Sequence, residues 1–313
     1  MKARTYLNLA AGLFLAAFAF SQTGMAQTVS GSWTIRPAED PDRVQLSFVY
    51  GRHNQSSDDW RLAFLTGLDI ASPSRHDVHF TIDRDAGRIQ AEGSAAAGTA
   101  AGSFQFMPNP AYPGELRKLG LGEITPDSQM SFALQNVSLD FARDMAALKL
   151  ANLTADRLLA MRIHGVEAAY VKDLRAAGAR AEDADQLIAF RIHHVTPELV
   201  AAFRPMGGVP DDAHLVALAI HGATPEWAAG FSRLGYGNGT ASADQLIAFR
   251  IHGVTPDYVA AIEKLGYDRP APDQLITLKI HDVTPDYIAS VKAKGVTDIS
   301  LDKLVTMKIH GID

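Results

Sequence analysis

The sequence predicts a mainly α protein: an array of short helix-turn-helix repeats with a period of about 29 residues, α-solenoid-like, preceded by a small antiparallel β module. Three observations predict it. The dipeptide Ile-His recurs at 163–164, 192–193, 220–221, 251–252, 280–281 and 309–310, with His-to-His spacings of 29, 28, 31, 29 and 29. Helix start and stop residues recur in phase with it. Upstream, residues 27–106 change to an alternation of period two, the pattern of a strand with one face buried.

Taken from the N-terminus, residues 1–26 read as a secretory signal peptide. Lys2 and Arg4 give a positive start, Leu7 to Phe20 is apolar, and small residues lead to a cleavage point after Ala26. The apolar run is about 14 residues, short of the ~20 that span a bilayer. The expectation is therefore a periplasmic or secreted chain with no integral membrane segment after cleavage. The absence of cysteine excludes disulfides and thiolate metal sites, and makes an oxidising compartment harmless. A formal net charge of −6 offers no electrostatic case for nucleic acid.

Residues 27–106 form the expected β module of about four to six strands. Val44 to Phe48, His79 to Ile82 and Ser103 to Phe106 alternate, and Asp83 to Gly87 reads as a hairpin turn. Gly93 to Gly102, a run of small residues, reads as a second, poorly ordered turn.

Residues 107–313 form the repeat domain of about seven units. Leu134-Gln135, 29 residues before His164, is an earlier copy of Ile-His. Ten residues before each His or Gln135 stand Thr125, Thr154, Asp183, Asp211, Ser242, Ala271 and Ser300, all but Ala271 able to cap the start of a first helix. That helix stops at Gly165, Gly222, Gly253 or Gly311, just after the His. The second helix opens on Thr-Pro-acid at 196–198, 224–226, 255–257 and 284–286, with Asn109-Pro110, Ser138 and a weak Glu167 as other versions. It stops at Gly120, Gly178, Gly207, Gly235, Gly266 or Gly295, and only Lys149 breaks that series. Neither helix is long enough to hold alone, so stacking must bury their apolar stripes. Leu187, Ile188, Phe190 and Ile192 leave the first helix little polar surface, which predicts the more buried layer. Val254, Tyr258, Ile262 and Leu265 form a stripe on the second.

Candidate chemistry is sparse. The repeat histidines His164, His193, His221, His252, His281 and His310 fall at helix ends, where a structural role or a shared pH response is expected. Equivalent residues one repeat apart, on the order of 10 Å, cannot share a metal ion whose ligand bonds are ~2 Å. His76 and His79 fall on opposite faces of a strand. No catalytic residue, metal site or cofactor is expected, since the His-Glu-x-x-His, Gly-x-Ser-x-Gly and phosphate-loop motifs are missing. Arg162, Arg191, Arg250, Lys279 and Lys308, two before the His, read as the solvent side of the first helix or as a basic ridge for a partner. Tyr112, Phe141, Tyr170, Trp227, Tyr258 and Tyr287, with Leu199 as the exception, read as core rather than a stacking surface.

The unit Asp244 to Tyr267 (DQLIAFRIHGVTPDYVAAIEKLGY), preceded by a β stretch ending at Gly102 to Pro110, resembles the extracytoplasmic C-terminal region of BlaR1-type membrane metallopeptidases and of stand-alone secreted relatives. The resemblance covers nearly all of the chain after the signal. The peptidase domain and its His-Glu-x-x-His are missing, so no catalytic residue carries over. It implies a sensor-like, partner-binding module. The resulting expectation is a non-enzymatic repeat protein that binds a protein or peptide. An envelope enzyme or hydrolase accessory with a site at the β/α junction, and a purely structural envelope protein, are the alternatives.

Overall fold

The computed structural model describes residues 28–51, 54–236 and 241–312. The expected signal peptide lies outside the described residues. Among those described, no helix is long and apolar enough to cross a membrane.

Six strands form one sheet: β1 (Val29–Pro37), β2 (Arg43–Tyr50), β3 (Asn54–Arg61), β4 (His76–Arg84), β5 (Gly87–Ala96) and β6 (Thr99–Pro108). Their order is β3-β2-β1-β6-β5-β4, and every neighbouring pair is antiparallel. Alternation along each strand sends Trp33, Ile35, Leu46, Phe48, Phe80, Ile82, Phe104 and Phe106 to a buried face and Ser32, Gln45, His79 and Gln105 to solvent. The edge strands β3 and β4 are consecutive in the chain, joined through the turn Leu62–Phe64 and the buried Leu65. Thr66 bridges to Thr81, and the Arg84 guanidinium lies 5.7 Å from the Trp60 ring centre. The sheet thus curls until its two edges approach.

The small-residue run Gly93 to Gly102 is strand rather than a loose turn. β5 continues to Ala96, β6 starts at Thr99, and only Ala97 and Gly98 turn between them. Gly93 faces Gly102 in register, and a Cβ on Gly102 would stand 1.9 Å from the Glu92 carbonyl oxygen. The small residues serve close approach of two backbones. β6 also runs to Pro108, two residues past the expected boundary.

Fourteen short helices follow among the described residues. The first helices of the repeat are α2 (Pro126–Leu134), α4 (Ala155–Ile163), α6 (Ala184–Ile192), α8 (Asp212–Ile220), α10 (Ala243–His252), α12 (Pro272–Ile280) and α14 (Leu301–Ile309). The second helices are α1 (Tyr112–Lys118), α3 (Leu139–Ala147), α5 (Ala168–Ala177), α7 (Pro197–Ala202), α9 (Pro225–Arg233), α11 (Pro256–Lys264) and α13 (Pro285–Ala293). From α4 onward each first helix packs on the one two along, as α4 on α6, and so does each second helix, as α5 on α7, so first and second helices form separate layers. The array therefore begins on a second helix and ends on a first one.

The punctuation works as the residue types require. Thr125, Thr154, Asp183, Asp211, Ser242 and Ser300 each accept a hydrogen bond from the backbone N–H three residues on. At Ala271, which has no side-chain acceptor, the backbone N–H instead donates to Gln274 Oε1 at 3.2 Å. The residue after the repeat His is left-handed, as at Gly253 with φ 69°, and His194 and Asp282 hold the same conformation at 59° and 53° where glycine is replaced. Helix α2 lies on β1, β5 and β6 and joins the two parts. There the buried Gln129 amide donates to the carbonyls of Ala86 (2.6 Å) and Asn109 (2.8 Å).

Candidate functional site: the outer face of the first-helix layer

The basic row two before the His stands half-buried over aromatic rings, not out in solvent. Arg162 lies 5.2 Å from the Phe141 ring centre, Arg191 3.8 Å from Tyr170, Arg250 5.5 Å from Trp227, Lys279 4.8 Å from Tyr258 and Lys308 4.7 Å from Tyr287. Arg162 and Arg250 also donate to the carbonyls of Gln135 (3.3 Å) and His221 (2.9 Å), at the end of the preceding first helix. The rings themselves are buried, as expected of core. Where the ring is missing the cation is missing too: Leu199 and Ala219 occupy the two equivalent positions.

Tyrosine hydroxyls complete this clasp. Tyr112, Tyr170, Tyr258 and Tyr287 donate to the carbonyls of Val137 (2.7 Å), Val195 (2.6 Å), Val283 (2.7 Å) and Ile312 (2.6 Å), in the next repeat's turn. Burial pushes the Tyr170 phenol up to about 12 and raises Tyr112 and Tyr258 in the same direction, so these groups stay neutral donors. A second set of bases, Arg175, Arg204 and Lys292, donates to carbonyls at the ends of the preceding second helices, at Leu148 (3.3 Å), Ala177 (2.7 Å) and Leu265 (2.6 Å). Both basic series are thus engaged in joining repeats.

What remains for the outside is unexpected. The isoleucine of each Ile-His pair points into solvent: Ile163, Ile192, Ile220, Ile251, Ile280 and Ile309 are 48–57% exposed. Helical geometry explains why the first helix is not the wholly buried layer. At 100° per residue, Leu187 and Phe190 face the core, while Ile192 falls some 200° round from Phe190. It shares a face with the half-buried Ile188, four residues back, and with Asp185, seven back. The repeats from α4 onward keep this face, with Leu159, Val216, Ile247 and Ile276 as the half-buried members, Val305 of α14 being buried, and Asp156, Asp244, Asp273 and Asp302 as the acids. Ala213 is the one gap in the acidic row.

The result is an apolar stripe crossing the first helices, with a carboxylate row about 10 Å to one side. Neighbouring helices 8–10 Å apart make a ladder of six isoleucines roughly 40–50 Å long. Among the described residues, Asp156, Asp273 and Asp302 have no ion-pair partner, whereas Asp185 holds Arg157 through three contacts of 2.9–3.0 Å. In the first copy the equivalent Leu134 is buried, in the repeat whose first helix lies against the sheet. The stripe begins where the β module ends.

The repeat histidines line the other side. Each holds or adjoins the C-terminal cap of its helix, His164, His221, His252 and His310 being exposed and His193 and His281 half-buried. Among the described residues no group of three His, Asp or Glu could hold a metal ion. His76 and His79 lie on opposite faces of β4. A hollow of about 260 Å³ does exist at the β/α junction, among Arg43, Asp58, Asp59, Arg84 and Gln135, but among the described residues no histidine joins the carboxylates there. The signal that could have found the isoleucine face was the seven-residue spacing from Asp to Ile in five of the six Ile-His repeats. Comparison of the chain with known families, with curated proteins and with solved structures gives no match.

Proposed function

We propose that the protein is a non-enzymatic, exported binding protein whose first-helix face receives an elongated polypeptide segment of a partner. That segment is apolar along one edge and carries Lys or Arg along the other. The observation that carries this reading is the row of six isoleucines, 48–57% exposed at equivalent positions. Folding gains little from an isoleucine left half in water, and isoleucine is not a strong helix former, so neither stability nor propensity accounts for the row. A contiguous apolar patch on one face is the usual mark of an interaction surface. The carboxylates beside it that have no ion-pair partner among the described residues, Asp273 and Asp302 meeting only the neutral amides of Gln245 and Gln274, favour a cationic flank on the partner. The resemblance to extracytoplasmic sensor regions points the same way, as does the lack of a recognisable catalytic motif.

The test compares the full chain with an Ile192→Glu/Ile251→Glu variant in quantitative affinity capture from an envelope extract. The expected result is a partner lost from the variant, at unchanged thermal midpoint, whose bound segment combines aliphatic and basic residues. A partner held equally by both chains would refute the proposed surface. Turnover in a hydrolase screen, with no partner recovered, would refute the binding function.

A further inference from the structure

The sheet's solvent face, between β1 and β4, is hollowed into a cavity of about 730 Å³, the size of a small-ligand site. Two rows of side chains cross it in register. His79, Glu92 and Ser103 face one another across β4, β5 and β6, and Thr81, Gln90, Gln105 and Ser30 do so across β4, β5, β6 and β1. Neighbours within a row are about 5 Å apart and the rows about 7 Å apart. Thr66 and Gly67 form the rim beyond β4. Gly67 lies at φ 93° with its Cβ position 3.0 Å from the His79 carbonyl oxygen, so the rim takes glycine there.

None of these side chains makes a hydrogen bond or ion pair to another protein group among the described residues. Elsewhere on the same sheet, outward polar groups pair: Ser47 with Ser57 at 2.9 Å, and Arg88 with Asp83. The hollow is also rigid from below. The buried Trp33 donates its indole N–H to the carbonyls of Glu92 (3.2 Å) and Ser103 (3.0 Å), directly under the first row.

The chemistry selects among ligands. Phosphates and other anions have no Lys or Arg in the lining and would meet Glu92. A metal ion finds only His79 and Glu92. A peptide strand finds the backbone already paired in the ladders, with Thr66 bridging the β4 edge, and the apolar lining residues Phe80, Ala91 and Phe104 are only 2–4% exposed. Hydroxyls, carboxamides, a carboxylate and an imidazole, all unspent, match a ligand that presents many hydroxyl groups and no charge. We propose that this hollow is a binding site for a neutral oligosaccharide, independent of the isoleucine face.

Backbone-amide NMR of the full chain, titrated with chitotetraose, cellotetraose and maltotetraose, tests it, with tetraglycine as the control. At least one saccharide is expected to bind with a dissociation constant of about 1 mM, shifting Gly31, Gly67, Glu92 and Ser103 together. Gln90→Ala/Gln105→Ala is expected to weaken that binding about tenfold while leaving the thermal midpoint and the remaining spectrum in place. Ile192→Glu/Ile251→Glu is expected to leave it unchanged, which separates this site from the partner face. No shift at the hollow with any of the three sugars at tenfold that concentration would overturn the proposal, as would equal shifts with tetraglycine. Sugar binding that the Gln90/Gln105 variant retains in full would also overturn it.

Discussion

Phe249 and Ile251 stand two residues apart on α10, one fully buried and the other 56% exposed. On the adjoining α11, Tyr258, Val259 and Ile262 are all inside. The second-helix layer spends its apolar residues on packing, while the first-helix layer divides them between the core and the solvent. The layers also differ in their polar groups. Second helices present rings and hydroxyls inward, and α4, α6, α10, α12 and α14 each cover a ring with the aliphatic stem of an Arg or Lys, whose cation or N–H then closes the joint. Both layers join the repeats, and the first-helix layer alone also leaves an apolar face open.

That contrast is broken most strongly by truncating the two α10 residues separately. Phe249→Ala is expected to cost about 3–5 kcal/mol, as for a fully buried ring, and Ile251→Ala no more than about 0.5 kcal/mol. Urea unfolding of both variants measures the difference, and equal losses would mean that Ile251 is packed. Next in size is the tyrosine clasp. Tyr258→Phe leaves the buried Val283 carbonyl without its donor and is expected to cost about 1–2 kcal/mol.

The missing clasp offers the reverse experiment. Leu199→Tyr with Ala219→Arg restores both positions and is expected to stabilise the array by about 0.5–1 kcal/mol. The two single changes should sum to less than the pair in a double-mutant cycle. Strict additivity would show that ring and cation do not interact there.

The smallest effect is a pH dependence at His214, which joins two first helices. Its ring nitrogens lie 2.7 Å from Asp211 and 3.2 Å from Asp244. The bond to Asp211 raises its pKa, opposed by burial and helped by Asp244. The contribution is therefore present below the unfolded histidine value of ~6.5 and is lost as pH rises through the raised folded value. Asp211 is held low by the His214 backbone N–H and then by its ring, so its contribution is present above the usual carboxylate range and lost on acidification. The joint is expected to be strongest in the interval between. An NMR titration of His214 above the ordinary histidine midpoint, and a small fall in thermal midpoint from pH 6 to 8 that His214→Gln removes, would bear this out. An ordinary midpoint would contradict it.

Most of the array was legible because its punctuation is local. A cap needs only its own side chain and the backbone three residues on, and Thr255-Pro256-Asp257 or Gly253 states the helix boundary without any tertiary contact. The clasp was illegible because Arg191 meets Tyr170 across a joint, 21 residues apart in sequence. The isoleucine face was hidden by composition: a run such as Leu187 to Ile192 reads as uniformly apolar until it is wound at 100° per residue. In the β module, alternation placed β2, β4 and β6, whereas β3 (Asn54–Arg61) is exposed on both faces over most of its length and carries no such pattern; the hollow depends on which residues face one another across four strands. Nothing local in Gly93 to Gly102 reveals that its glycines meet in register.

On the proposed reading the first-helix face, and not the second, meets a partner. A photo-crosslinking residue at position 251, compared with one at the exposed Lys264 on the opposite layer, tests it most directly in an envelope extract. A discrete adduct at 251 and none at 264 is the expected result. An adduct at 264 alone, or none at 251 from a chain that still folds, would contradict it.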